Sequence, residues 1–357
     1  MSTPTTQKAF HFTEVPPQGK FAIAERPVPT PGDGEVLVRV EAAALNPIDW
    51  KLTSSPEFAK MMGIFPLPLG TDGAGVVEAV GSGVTTLSKG DKIVFQGWFA
   101  PDKATFQQYA IVNPAFAAKI PANISLDQAA SLPLGLMTVL LGLYSPASTN
   151  SLNLPPFWAT GPSASAGTPA LILGGASSVG QYAIQAAKLA GHSPIITTAS
   201  PRNTSLLTSL GATHVLDRSL SVDALVAAIK GALGGKPLLF AYDAITYADT
   251  QAVAVRALAP EGKLVIVNAV PMSEEDTKAA EGKTVVMTQG NVNVPFHNAV
   301  GAEIFAQLSG WLEKGDIKPN SVEVLPKGLA GIQDGLKRME ENKVSAVKLI
   351  AHPQEMP

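Results

Sequence analysis

The stretch from Ala170 to Ser200 admits few folds. LILGG is an apolar run that stops at two glycines, SSVGQYAIQAAKLAG then carries apolar residues at helical spacing up to Gly191, and SPIITTAS resumes a β-branched run. Strand, glycine turn, helix and strand in that order make a βαβ unit, whose crossover brings the two strands in parallel. THVLD, LLFAYDAI and KLVIVNAV predict three more strands, with VDALVAAIKGAL and ADTQAVAVRALA as helices between them. The alternation predicts an open, doubly wound parallel sheet of the α/β class.

The turn itself, Gly174-Gly175-Ala176-Ser177-Ser178-Val179-Gly180, lies where a dinucleotide fingerprint belongs, after a strand and at the start of a helix. Gly175 is expected to make the tight turn and Gly180 to let helix and strand pack closely. Ser178 and Val179 open the helix, whose N–H groups and positive dipole end suit a pyrophosphate. Ser177 stands at the middle glycine of the usual pattern; its side chain narrows the approach, and its hydroxyl can donate a hydrogen bond in return. A purely structural turn is the alternative.

The second strand bears on which dinucleotide is held, because an NAD site usually ends that strand with an acid for the ribose hydroxyls. No Asp or Glu occurs between Gly180 and Asp217. The strand runs instead into Thr197, Thr198, Ala199, Ser200, Pro201, Arg202 and Asn203, hydroxyl, amide and guanidinium groups suited to a 2′-phosphate. NADP(H) is therefore expected. Arg218, after the third strand, is a further candidate for that phosphate, with a solvated surface arginine as the alternative.

At 357 residues, with 46% hydrophobic and 15% charged, the chain predicts two domains rather than one core or a disordered segment. Ahead of the α/β unit, EVLVRVEAAAL, GAGVVEAVGSGV, GDKIVF and ATFQQYAIV are short strand-like runs broken by Gly, Pro and Asp, a β-rich unit. LDQAASLPLGLMTVLLGLY then carries a helix or helix pair, and residues 145–169 read as a long surface loop with Phe157 and Trp158 as anchors. After Gly301 the pattern is helix, a loop over IKPNSVEVLP, helix and a terminal strand. A net charge of −3 argues against nucleic acid as the main partner. No apolar run reaches membrane-spanning length and no secretory leader is visible, so a cytoplasmic protein is expected. There is no cysteine, which excludes disulfides, thiol nucleophiles and thiolate zinc sites, and the five histidines are scattered. No metal is expected.

Taken together, EVLVRVEAAALNPIDWKL, GTDGAGVVEAVGSGV, GDKIVF, the Leu-Pro-Leu-Gly stretch at 132–135 and GGASSVG resemble the medium-chain dehydrogenase/reductase superfamily over essentially the whole chain. The resemblance implies a GroES-like β-rich catalytic domain over 1–134 and 306–357, and an NADP(H)-binding Rossmann domain over 135–305. Zinc alcohol dehydrogenases of this superfamily carry Cys in the first motif and Gly-His-Glu in the second, where this chain has Asn46-Pro-Ile-Asp-Trp50 and Gly70-Thr71-Asp72. It is similar instead to the zinc-independent quinone oxidoreductases and enoyl reductases, including fungal trans-acting enoyl reductases that serve polyketide synthases.

That branch implies NADPH-dependent reduction of an activated C=C bond, with Asn46 and Lys51 as donors near the carbonyl oxygen; a turn-forming Asn46 and a solvent-facing Lys51 are the alternatives, and the hydroxyl of Tyr109, Lys51 or water is the expected proton source. Asp49 is expected to hold its own loop. Thr138 matches a family position that contacts the nicotinamide amide, with a helix threonine bonded to the preceding turn as the alternative. Asn268 and Ala269, at the carboxyl end of the fifth strand, and Lys348, from the terminal segment, complete the expected cofactor contacts. Trp50, Phe65, Trp98, Phe99 and Tyr109 are candidates for an apolar wall, with core packing as the alternative. The substrate is a small α,β-unsaturated carbonyl or a quinone; a carrier-bound acyl chain and a non-catalytic NADPH-binding role are the competing readings. Monomer and homodimer both stay open.

Overall fold

The computed structural model describes residues 3–14, 20–54, 66–146 and 149–355. The chain forms two units, one of residues 1–134, 301–315 and 319–357, the other of residues 135–300 and 316–318.

The second unit is built on six parallel strands ordered His214–Asp217, Ile195–Ala199, Ala170–Leu173, Phe240–Asp243, Lys263–Ile266 and Thr284–Met287. The chain starts in the middle, winds outward to one edge and then to the other, the doubly wound order expected of the alternating pattern. Ala170–Leu173 is central and buried at every position, so it has no polar face to alternate with. The helix Ser178–Leu189 is capped by Ser177, whose Oγ accepts from Gly180 N at 3.0 Å. Within residues 145–169 the expected loop holds a short helix, Phe157–Thr160, and both Phe157 and Trp158 pack edge-on against Tyr144.

The first unit is organised on the strand Val36–Ala44, which pairs antiparallel with Asp72–Val80, Tyr109–Val112 and the terminal Val347–Ala351. Val36, Val38, Val40, Leu45, Ile93, Phe95 and Phe106 share one core with Leu329, Ile332 and Leu349 from the end of the chain. A second sheet of Thr6–Phe12, Phe21–Pro27 and Leu67–Pro68 lies in the same unit. The expected loop at IKPNSVEVLP is corrected: Ser321–Val324 is a strand, parallel to Val347–Ala351. Neither of its valines is fully buried, so its side chains carry no apolar period to read. Among the described residues no helix is long and apolar enough to cross a membrane.

The tail is fastened by His352, whose Nε2 lies 2.8 Å from Asp127 Oδ1 and Nδ1 2.9 Å from Glu355 Oε1. Burial pulls the imidazole pKa down, but the hydrogen bonds to Glu355 and Asp127 outweigh it and hold the pKa above the ordinary 6.5. The charged ring therefore contributes its full stability below that value, and the contribution is lost as pH rises through the raised folded-state pKa. His352→Gln is expected to lower Tm by about 1–3 °C at pH 6 and by less at pH 9. Thermal melts at the two values check it; an equal loss at both would contradict the assignment.

Candidate functional site

In the second unit the glycine turn is shaped by three close approaches. Gly174 takes φ +73°, and a Cβ there would meet Ile245 Cγ1 at 2.7 Å. The tight turn is thus made by Gly174; Gly175, expected in that role, is needed because a Cβ on it would lie 2.1 Å from Thr197 Oγ1. A Cβ on Gly180 would lie 2.2 Å from Gly174 O, the close helix–strand packing expected of this position. Ser177 Oγ accepts from Gly180 N, so its own hydrogen remains to donate. Ser178 and Val179 form the first helical positions beside it.

Thr197 and Thr198 turn inward: Thr197 Oγ1 donates to Ile172 O at 2.7 Å, and Thr198 Oγ1 accepts from Gly174 N at 3.1 Å. They tie the turn to the second strand. Ser200 is half-buried and precedes a 3-10 turn, Pro201–Asn203, in which Arg202 is exposed and Asn203 half-buried. Arg218, also exposed, donates its backbone N–H to Ala199 O at 3.1 Å, so it leaves the sheet beside Ser200. Ser200, Arg202, Asn203 and Arg218 therefore gather at the carboxyl ends of two adjacent strands.

The carboxyl ends of the next two strands are joined by a device the sequence reading missed. Asp243 is fully buried; its Oδ1 accepts from Ile245 N at 3.2 Å and Thr246 N at 2.8 Å, and its Oδ2 from Thr250 Oγ1 at 2.6 Å. Burial raises its pKa despite these donors. They hold Thr246 at φ 52°, where its Oγ1 accepts from Val267 N at 3.0 Å. Ile245, placed by the same carboxylate, fills the space against Gly174. Asn268 follows Val267 half-buried, and Ala269 is exposed. Thr138 lies in the helix Pro133–Tyr144; its carbonyl accepts from Tyr242 Oη and Thr288 Oγ1, both at 3.0 Å, and its side chain packs where Gly290 has no Cβ.

In the first unit, Asn46, Asp49, Asp72 and Lys348 form one buried network. Asp49 Oδ2 accepts from Asn46 N at 2.7 Å and Asp49 N donates to Asn46 O at 3.0 Å, so Asp49 closes the Asn-Pro-Ile-Asp turn. Lys348 Nζ donates to Asn46 Oδ1 and lies 3.2 Å from Asp72 Oδ2, while Asp72 Oδ1 accepts from Leu134 N at 2.7 Å. Lys348, expected as a cofactor contact, directs its ammonium into this network and is 4% exposed. Burial, with the charge of Asp72 adding to it, pushes the Asp49 pKa up to about 7. Burial likewise raises Asp72, although Lys348 pulls it down.

Lys51 is half-buried on the helix Pro47–Ser54, its ammonium 5.9 Å from the centre of the Trp50 ring, and burial lowers its pKa. The structure does not bring Tyr109 to this group. Tyr109 is opposite Arg39 and Asp72 opposite Ala44 on the same strand, five residues or about 17 Å apart along it. Tyr109 packs with Leu37 and Ile111, and burial and Glu78 raise its pKa. Of the other aromatic candidates, Trp50 and Phe99 pack on the core of this unit, Trp98 contacts Phe99, and Phe65 lies outside the described residues. Among the described residues no group of three or more His, Asp or Glu is arranged to hold a metal ion.

Residues 32–122 match the alcohol dehydrogenase GroES-like domain and residues 178–314 the zinc-binding dehydrogenase domain. The chain is 32% identical over 351 residues to a zinc-type alcohol dehydrogenase-like protein of Schizosaccharomyces pombe, covering 93% of this chain and 96% of that one. It is 30% identical over 367 residues to a trans-enoyl reductase of a Penicillium species, covering 97% and 98%. An alcohol dehydrogenase superfamily protein from Novosphingobium aromaticivorans has the same fold, with a TM-score of 0.78 at 23% identity over 96% of this chain and 99% of that one.

Proposed function

The chain belongs to the medium-chain dehydrogenase/reductase superfamily and is an oxidoreductase, and from that premise we propose that it uses NADPH, without zinc, to reduce the activated C=C bond of an α,β-unsaturated carbonyl compound. The observation that carries this reading is the Asn46 amide, fixed in a buried network where the zinc enzymes of the superfamily carry a ligand. The donor set does not fit zinc. Asn46 and Thr71 replace the Cys and His, and the remaining carboxylate, Asp72, already faces the Lys348 ammonium.

The second unit's residues fit a dinucleotide phosphate. The turn is cleared of Cβ atoms at Gly174, Gly175 and Gly180, and Ser177 retains a hydroxyl hydrogen beside the N-terminus of a twelve-residue helix. Ser200, Arg202, Asn203 and Arg218 would bind the 2′-phosphate, with Asn268, Ala269 and Thr138 toward the nicotinamide end. The unmodified protein is expected to bind NADPH more than about tenfold more tightly than NADH, and Arg202→Ala to erode the difference mainly through KM for NADPH. Equal affinities in the unmodified protein would count against the assignment.

NADPH supplies, when bound, the hydride that goes to the β-carbon. Negative charge then accumulates on the substrate's carbonyl oxygen, and Asn46 donates to that oxygen. Lys51 is the side chain best suited to deliver the α-carbon's proton, because burial makes its ammonium a readier acid; water is the simpler source. The resemblance to a trans-enoyl reductase supports a second reading, in which the enone is an acyl chain tethered to a carrier protein. NADPH consumption with a panel of free enones, enals, quinones and carrier-bound enoyl chains tests both. Turnover of free enones supports the first, activity confined to carrier-bound chains selects the second, and no turnover of any of them would favour a non-catalytic NADPH-binding protein.

A further inference from the structure

We infer that Lys348 is a positioning residue: its ammonium sets which end of the Asn46 amide is presented to the substrate. The inference deepens the proposed reaction and rests on it for its catalytic consequence.

The sheet brings the two residues face to face. Ala44 is opposite Ile350, and Leu45 N donates to Leu349 O at 2.9 Å, so continuing the antiparallel register by two residues sets Asn46 against Lys348. An ammonium has donors and no acceptor, whereas a primary amide has one accepting and one donating end of nearly equal size. Contact with Lys348 therefore requires Oδ1 on the lysine side and leaves Nδ2 on the other. The remaining polar groups of Asn46 are engaged as well, since its N–H donates to Asp49 and its carbonyl accepts from Asp49 N. Nδ2 is buried and makes no well-formed hydrogen bond, although the amide helps to hold the Asp72 pKa down. Apart from that pull on Asp72 it has no well-formed partner in the network, and an oxyanion is a partner that a donor alone can serve. A flipped amide would turn its oxygen toward the developing charge and oppose it.

Lys348 is itself fixed by Asp72, which is held in turn by Leu134 N, so the ammonium has little freedom to leave Asn46. Simple neutralisation of Asp72 is the competing account, and a double substitution separates the two. Lys348→Met alone leaves Asp72 buried without its cation and is expected to be destabilised. Lys348→Met with Asp72→Leu removes both charges, so Tm should recover toward the unmodified value. On the positioning account kcat nevertheless stays about tenfold to a hundredfold down with a free enone, while the Kd for NADPH is unchanged. Recovery of kcat together with Tm would overturn the inference.

The side-chain amide of Asn46, assigned in a nitrogen-15 spectrum by its loss in Asn46→Asp, supplies a readout that needs no turnover. Its two hydrogens should be well separated in the unmodified protein and move to the positions of a freely turning amide in the double variant. An unchanged pair would overturn the inference even if the protein reduces no enone, an outcome that would by itself defeat only the proposed reaction.

Discussion

Gly180→Ala is expected to weaken NADPH binding by about fivefold to a hundredfold, the largest single effect in the cofactor-binding unit. The added Cβ would lie 2.2 Å from Gly174 O and 2.7 Å from Gly175 Cα, and both neighbours are backbone. No rotamer change relieves such a contact, so the helix must move off the strand or the turn must open, at a cost of about 1–3 kcal/mol from overpacking. Either movement carries Ser177, Ser178 and Val179 with it, because Ser177 Oγ is bonded to Gly180 N itself. Gly231→Ala is the control: the residue lies inside the helix Val222–Leu233 with nothing within 4 Å of the new methyl. It should raise stability by about 0.5–1 kcal/mol and leave affinity alone. Fluorescence titration with NADPH beside thermal melts checks both; normal affinity in Gly180→Ala would mean that this turn does not hold the cofactor.

Asn46→Ala is expected to lower kcat with an enone by about a hundredfold to a thousandfold, the range for losing one oxyanion donor, with the Kd for NADPH little changed. The backbone N–H and carbonyl of residue 46 keep their bonds to Asp49, so the turn should survive the substitution. Lys348 loses its amide acceptor but retains Asp72 at 3.2 Å, which limits the structural cost. Lys51→Ala should be milder on the same assay, since Lys51 stands over Trp50 and outside the network. A kcat in Asn46→Ala within about threefold of the unmodified protein would remove Asn46 from the oxyanion site.

The α/β unit was legible because its signals are local. A fully buried strand, a glycine turn and a capped amphipathic helix follow one another within about twenty residues, and each has its own period or punctuation. Two strands with half-exposed faces were not legible: neither Thr284–Met287 nor Ser321–Val324 has a fully buried side chain, so neither shows an apolar period of its own. Within the turn, the sequence could say that glycines were needed but not which took positive φ or met a distant side chain, since the group a Cβ on Gly174 would meet is Ile245, far along the sequence. Asn46 could be singled out from its motif, whereas Lys348 is joined to it by a contact across 302 positions of sequence. The surroundings of Tyr109 were not legible for the same reason: its hydroxyl suggested chemistry, and only strand register shows it lying beside Leu37 and Ile111. Asp243 could have been suspected from the run Asp243-Ala244-Ile245-Thr246 at the end of a predicted strand, an acid followed by a hydroxyl residue where a turn must form.

The central claim, conjugate reduction by NADPH, is tested most directly by following the hydride. The unmodified protein is incubated with an α,β-unsaturated ketone and NADPH deuterated at C4 on the transferred face, and the product is examined by NMR. The saturated ketone should form with deuterium on the β-carbon alone, the α-carbon taking its hydrogen from solvent or from a solvent-exchanged Lys51. An allylic alcohol carrying deuterium at the former carbonyl carbon would show direct carbonyl reduction and contradict the account.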